Sequence, residues 1–213
     1  SARSPRPDGV ALMAGKGVVA LTGATGFVGG ATLHQLVETG WQVRALTRRS
    51  QQAKAGVTWV EGALDRPESF EAGNVTGTAH LLSAAKESGI SRFVHVSSLS
   101  AREPQLSVYG SSKAKGEKLV ATSMLDWTIL RPPGVYGPGD TEVFEMFKMA
   151  ARGFCLLPPA GKGSWIHVDD LARLLVALLP AHEDATAQIF EADDGEPGGW
   201  EHSRFARAIG LAL

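Results

Sequence analysis

Short apolar runs punctuate the chain, and each is followed by a stretch in which apolar residues recur every three or four positions. Runs at 18–22, 42–47, 57–61, 92–97, 127–131, 165–168 and 188–191 have the length and character of buried parallel strands. Helical spacing covers 26–39, 74–88, 109–122, 141–152 and 169–179, and a last helix starts near Trp200. In the first helix Phe27, Val28, Ala31, Leu36 and Val37 form the apolar set, and Gly40 is the stop. In the fifth, Leu171, Leu174, Leu175 and Leu178 repeat, with Asp169 or Asp170 as the cap. Regular alternation of strand and helix predicts an α/β fold with a doubly wound parallel sheet. Ligands of such sheets lie at the carboxyl ends of the strands, where Gly23, Thr47, Ser98 and Pro132 fall.

Composition narrows the class. With 213 residues, 44% of them hydrophobic, the chain is sized for one domain with a small appendage. A net charge of −1 gives no electrostatic case for nucleic acid or for an anionic membrane surface. The single cysteine, Cys155, excludes an internal disulfide and fits a reducing, cytoplasmic setting. The longest apolar stretch, 171–179, contains Arg173 and ends at Pro180, short of a membrane span. The six histidines show no metal-ligand spacing, so no metal is expected. Residues 1–16 read as a disordered leader, with Met13 as an alternative natural start.

Two constellations carry chemistry. Gly23, Gly26 and Gly29 sit between the first strand and the first helix. A strand, a glycine turn and a helix N-terminus make a phosphate cradle, because backbone amides point outward and the helix dipole favours an anion. At the end of the second strand stand Thr47, Arg48 and Arg49, with no carboxylate to hold a ribose 2′-hydroxyl. Guanidinium groups suit a 2′-phosphate, which favours NADP(H), with NAD(H) as the other option. The second constellation is Tyr109 and Lys113, eleven and fifteen residues after Ser98 of the Ser97-Ser98 pair. Four residues is about one helical turn, so phenol and ammonium share a helix face. A neighbouring ammonium favours the phenolate, which makes a proton donor and acceptor usable near neutral pH.

These segments resemble the short-chain dehydrogenase/reductase superfamily, in particular its extended or atypical branch of NAD(P)-dependent epimerase/dehydratase type. The carriers are TGATGFVGG at 22–30, NVTGTAHLLSAAKESG at 74–89, RFVHVSS at 92–98, YGSSK at 109–113, LRPPGVYGPGD at 130–140 and WIHVDDLA at 165–172. The resemblance implies a Rossmann-type domain over 17–192, with substrate-region insertions from about 133. Residues 193–213 then begin a small, incomplete C-terminal helical substrate region. It implies hydride exchange with an alcohol or ketone carbon, Tyr109 as acid/base, Lys113 on the nicotinamide ribose and Ser98 orienting the substrate oxygen, with Ser100 in reserve. Asn74 matches a residue that supports either a proton relay or local helix geometry. Cofactor contacts are implied at Gly23, Thr25, Gly26, Phe27, Val28, Gly29, Thr47, Arg48, Leu64, Ser97, Lys113, Pro132, Pro133 and Val135. The implied substrate is a sugar nucleotide, alcohol or ketone, and a homodimer is the oligomer the family suggests. A catalytically silent NADP(H)-binding regulator or assembly subunit is the competing reading.

Two departures matter. Gly62-Ala63-Leu64 stands where the family has Gly-Asp-Leu, with Asp65 nearby. Only about a dozen residues separate Gly62 from Asn74, where the family carries a helix, a fourth strand and a loop. A doubly wound sheet without its central strand exposes apolar edges, so the spacing predicts that residues are missing near Phe70–Glu71.

Overall fold

The computed structural model describes residues 16–63, 69–141, 143–157 and 160–212. Strand β1 (Val18–Leu21) leads through a glycine turn into α1 (Phe27–Glu38). β2 (Gln42–Thr47) and β3 (Val57–Glu61) follow. A π-helical turn, Ala72–Thr76, runs into α2 (Gly77–Glu87), and then come β4 (Arg92–Val96), α3 (Val108–Ala121) and β5 (Asp126–Arg131). The rest is β6 (Gly134–Tyr136), α4 (Phe144–Ala151), β7 (Lys162–Gly163), β8 (Trp165–His167), α5 (Val168–Ala177), β9 (Gln188–Glu191), β10 (Trp200–Glu201) and α6 (His202–Ala212).

The parallel α/β architecture is the expected one, but the sheet comes in two halves. β3, β2 and β1 pair in parallel with β2 in the middle, and β4, β5 and β9 pair in parallel around β5. Among the described residues no strand pairs with the free edge of β1 or with the free edge of β4. The chain nevertheless runs unbroken through Phe70 and Glu71. Gly73 N–H donates to the Ser69 carbonyl at 3.2 Å across them, and Glu71 has helical angles of φ −64° and ψ −48°. The short spacing between Gly62 and Asn74 shows here as a sheet without a central strand among the described residues.

Helices hold the halves together. α1 packs against α5 on one face. Leu33, Leu36, Val43 and Ala45 form a first core there, joined by Val176 of α5 and by Leu179 just past its end. Leu130, Ile166, Leu171 and Leu175 form a second core, joined by Val28 of α1. The other face of the first half is open, with Val18 67% exposed and Ala20, Gln42, Arg44 and Thr58 exposed as well. The expectation that 18–22 is a fully buried strand is corrected accordingly: Val19 and Leu21 face the core and their neighbours face solvent. β5, flanked on both sides, has Ile129 and Leu130 fully buried.

The cap of α5 also differs from expectation. His167 is the N-cap residue, its Nδ1 accepting from the Asp169 N–H at 3.2 Å, while Asp169 and Asp170 occupy the first turn, where the helix dipole favours carboxylates. β6, β7 and β10 are additional short strands. β6 pairs in parallel with β8, and β7 pairs antiparallel with β10. α6 returns over β8, where Phe205 stacks on Trp165 with centroids 4.5 Å apart.

The open edge makes a stability prediction. Val18→Thr should change the unfolding free energy by less than about 0.5 kcal/mol. Ile129→Ala should cost about 2–5 kcal/mol. Urea denaturation of both variants checks this, and a cost at Val18 comparable to that at Ile129 would mean that the edge is covered in solution.

Candidate active site

The glycine turn has the geometry of a backbone cradle. Gly23 adopts φ +69°, a conformation that side chains disfavour, and its carbonyl accepts from the Gly26 N–H at 2.9 Å. A Cβ on Gly29 would stand 2.0 Å from that carbonyl oxygen, so only glycine fits where the helix crosses the turn. No side chain caps α1 at Gly26. Its first amides are thus left to an external acceptor.

A pocket of about 210 Å³ opens beside this turn. Its walls are Thr22, Gly23 and Thr25, the strand ends Leu46, Thr47 and Arg48, then Gly62 and Ala63, and finally Ala72, Gly73 and Gly77. Arg48 of the arginine pair lines it. Thr47 Oγ1 donates to the Arg49 carbonyl at 2.7 Å and accepts from the Arg49 N–H at 3.2 Å, which fixes the loop. Ala63 contributes a methyl group where a carboxylate was wanted, and Leu64 and Asp65 lie outside the described residues. A more open hollow at Ala181, His182, Glu183 and Thr186 contains none of the motif residues.

The wall formed by Ala72 and Gly73 belongs to the turn that carries Asn74. Asn74 Nδ2 donates to Ser112 Oγ at 2.9 Å, and Ser112 Oγ donates to the Tyr109 carbonyl at 2.7 Å. Asn74 thereby braces the helix that bears Tyr109 and Lys113, which is the local-geometry alternative. Two glycines bring α3 close to its neighbours. A Cβ on Gly116 would stand 2.6 Å from the Asn74 carbonyl oxygen, and one on Gly110 2.5 Å from the Ser100 carbonyl oxygen. Neither glycine was singled out from the sequence; their spacing of six residues in a helix of weak amphipathicity was the available signal.

Tyr109 and Lys113 are together. The Lys113 ammonium lies 5.8 Å from the centroid of the Tyr109 ring, and the edge of Phe70 meets that ring at 5.3 Å. Lys113 Nζ donates to the Val96 carbonyl at 3.3 Å at the end of β4. Burial pulls the Lys113 pKa down, and the Glu117 charge opposes that pull. Ser98 follows β4 directly, and its Oγ accepts from the Ser100 N–H at 3.2 Å. Ser97 is buried. Pro132 is buried, and its carbonyl accepts from the Leu99 N–H at 2.9 Å, which ties the Pro132–Val135 turn to the serine turn. Val28 and Val135 are half-buried and pack on the second core, while a Cβ on Gly139 in the loop after β6 would stand 3.7 Å from the Phe27 ring.

His95 lies under this group. Its pKa is lowered to about 4, first by burial and then by the charge of Lys113. Among the described residues no group of three His, Cys, Asp or Glu side chains could hold a metal ion, and no helix is long and apolar enough to cross a membrane.

Known proteins resemble this chain throughout. A family profile described as the NAD dependent epimerase/dehydratase family matches residues 19–72 and 53–192. The two stretches overlap over residues 53–72. The ceramide reductase of Caulobacter vibrioides is 38% identical over 194 residues, covering 76% of this chain. The chain spans 61% of that relative's length. The UDP-glucose 4-epimerase of Vibrio cholerae is 25% identical over 234 aligned residues, covering 83% of this chain and 70% of the relative. That aligned length exceeds the 213 residues present, so the epimerase carries residues this chain lacks. The structure of dTDP-glucose 4,6-dehydratase from Bacillus anthracis in complex with NAD superposes with a TM-score of 0.75 at 17% identity, covering 91% of this chain and 79% of the other. This last likeness concerns the fold.

Two outcomes are expected. Gly116→Ala should destabilise the protein by about 1–3 kcal/mol through overpacking on Asn74, read by denaturant unfolding. His95 contributes stability that is present above its unfolded pKa of 6.5 and lost as pH falls towards about 4. The full loss is about 3 kcal/mol, and the acid sensitivity between those pH values should flatten in His95→Gln. Unfolding curves across that range check the sign.

Proposed function

The chain belongs to the NAD-dependent epimerase/dehydratase family, and from that premise we propose that it is an NAD(P)-dependent oxidoreductase, epimerase or dehydratase acting on an alcohol or ketone carbon. The observation that carries the proposal is the pairing of Tyr109 with Lys113 on a helix braced by the turn that walls the glycine pocket. The backbone cradle at Gly23–Gly29 supports dinucleotide binding, because the crossing leaves no room for a Cβ.

A bound nicotinamide would supply or accept the hydride. The chain's own groups do the rest. The amides around Gly26, Phe27, Val28 and Gly29, with Thr25, would take the pyrophosphate. Thr47 and Arg48 would face the adenosine end. Lys113 would hold the second ribose, with Ser97, Pro132, Pro133 and Val135 bordering the ring. In the reductive direction the Tyr109 hydroxyl gives its proton to the substrate oxygen as the carbonyl becomes an alcohol. In the oxidative direction the phenolate takes the alcohol proton. Ser98 orients that oxygen, and Asn74 keeps the helix in place.

Arg48 on the pocket wall, with no carboxylate beside it, supports NADP(H) over NAD(H). For the substrate, the segment after β6 presents Phe144, Phe154 and Leu156 at 52%, 53% and 77% exposure. These weigh towards a substrate with an apolar body, in keeping with the name of the ceramide reductase relative. The setting is proposed as cytoplasmic, on the single cysteine alone.

Tyr109→Phe should lower turnover at least about a hundredfold in a panel of ketones and sugar nucleotides. Cofactor affinity should stay within about threefold, a change of less than a kcal/mol. Separate titrations should find NADPH bound about tenfold tighter than NADH, with the difference lost in Arg48→Ala. A wild-type protein that binds cofactor and turns over nothing in the panel would instead be a silent regulator.

A further inference from the structure

Beneath the proposed acid/base pair lies a buried acid that the proposed mechanism does not use. Tyr109, Lys113 and Glu117 follow one another at intervals of four on α3, so their side chains share one helix face. Glu117 is 6% exposed. Arg131, the last residue of β5, grips both of its carboxylate oxygens: Nε to Oε1 at 2.8 Å and Nη2 to Oε2 at 2.7 Å. Arg131 Nη1 reaches on to Glu191 at 3.3 Å, and Glu191 pairs with Arg102 at 3.0 Å. The charges alternate across α3, β5, β9 and the turn after β4. Lys113 forms no direct ion pair among the described residues; its ammonium donates to the Val96 carbonyl.

We propose that Glu117 is a positioning residue that keeps the half-buried ammonium of Lys113 charged and fixes the Tyr109–Lys113 helix against the strand that delivers the Pro132–Val135 turn. An isolated buried ammonium loses its proton unless an anion offsets the lost hydration. Glu117 is the acid one turn away on the same face, and it is held ionised by a bidentate guanidinium. The groups around Lys113 support this assignment. Tyr109 and Glu117 come from α3, His95 from β4 is neutral at working pH, and Arg131 from β5 is already committed to Glu117. Glu191 from β9 and Arg102 are more exposed and pair with each other. The carboxylate is thus clamped by Arg131 on one side, and its charge acts on Lys113 without direct contact on the other. Because Arg131 immediately precedes Pro132, the same ion pair ties the proton-handling helix to the turn proposed to border the ring.

The catalytic part of this inference rests on the proposed oxidoreductase reading; the electrostatic part does not. The test is therefore the titration of Lys113 itself, followed by NMR of the reductively 13C-methylated protein without cofactor, with Lys113→Arg to assign the signal. In Glu117→Gln the Lys113 midpoint should fall by about one unit or more, and Glu117→Asp should recover most of the shift. In Arg131→Gln the midpoint should rise, since the carboxylate is left to Lys113 alone. Opposite signs in the two variants are not expected of a purely structural pair. A midpoint unchanged in both, or displaced the same way in both, overturns the proposal, and Arg131→Gln still decides it if Glu117→Gln does not fold. In turnover, the alkaline limb of kcat/KM should move down with the Lys113 midpoint in Glu117→Gln. Lys113 midpoints that move as described in a protein without turnover would uphold the role of Glu117 and refute the oxidoreductase reading alone.

Discussion

The contact on which the site depends is the seat of α3 on the turn at Ala72–Thr76. Gly116 lies against the Asn74 carbonyl so closely that a methyl group would not fit, and the Asn74 amide is bonded to Ser112. In a continuous parallel sheet the strand ladder itself would fix the distance between the glycine cradle after β1 and the serine turn after β4. Here that ladder is interrupted, and helices carry the load. α1 and α5 bridge the halves on one face. On the other, the turn that walls the glycine pocket also braces the Tyr109 helix. A close backbone approach is a stiff restraint, because packed interiors resist displacement.

Around that seat the charges are arranged so that few stand alone. Lys113 is half-buried beside the proposed reaction centre, His95 is held neutral by burial, and Glu117 is clamped by Arg131. Arg92 plays a similar structural role at the opposite end of β4, pairing with Asp126 at 3.0 Å and donating to the Leu178 carbonyl at 2.5 Å. It fastens the second half-sheet to the end of α5. Buried charges that satisfy one another give a defined arrangement at modest net gain in stability. Their proposed value at this site is to keep an ammonium charged next to a phenol.

Much of the fold was legible because period and punctuation are local signals. The spans 42–47, 57–61 and 188–191 stand where the apolar runs put them, and Gly40 closes α1 as a stop signal should. The pairing of Tyr109 with Lys113 was legible for the same reason, since one helical turn is a local distance. What failed to show was non-local. β7 and β10 are two residues long and exist only because they find each other. His167 caps α5 in place of the aspartates, a choice set by backbone angles at the end of β8. The use of the glycines at 110 and 116 appears only when the neighbouring carbonyls are in view. Glu117 carries no local signal of its role, because its burial depends on an arginine fourteen residues away. The short spacing between Gly62 and Asn74 did announce trouble in the sheet, and it shows as two half-sheets among the described residues.

The central claim is that helix packing, across a sheet interrupted among the described residues, holds the glycine cradle and Tyr109 at one proposed site. Transferred NMR contacts between the bound cofactor and the protein test it most directly, using NADPH and a protein labelled at its two tyrosines. The account predicts cross-peaks from the nicotinamide H4 protons to the Tyr109 ring, which disappear when Gly29→Ala closes the cradle. Cofactor that binds without any contact to Tyr109, or contacts that survive Gly29→Ala unchanged, would contradict it.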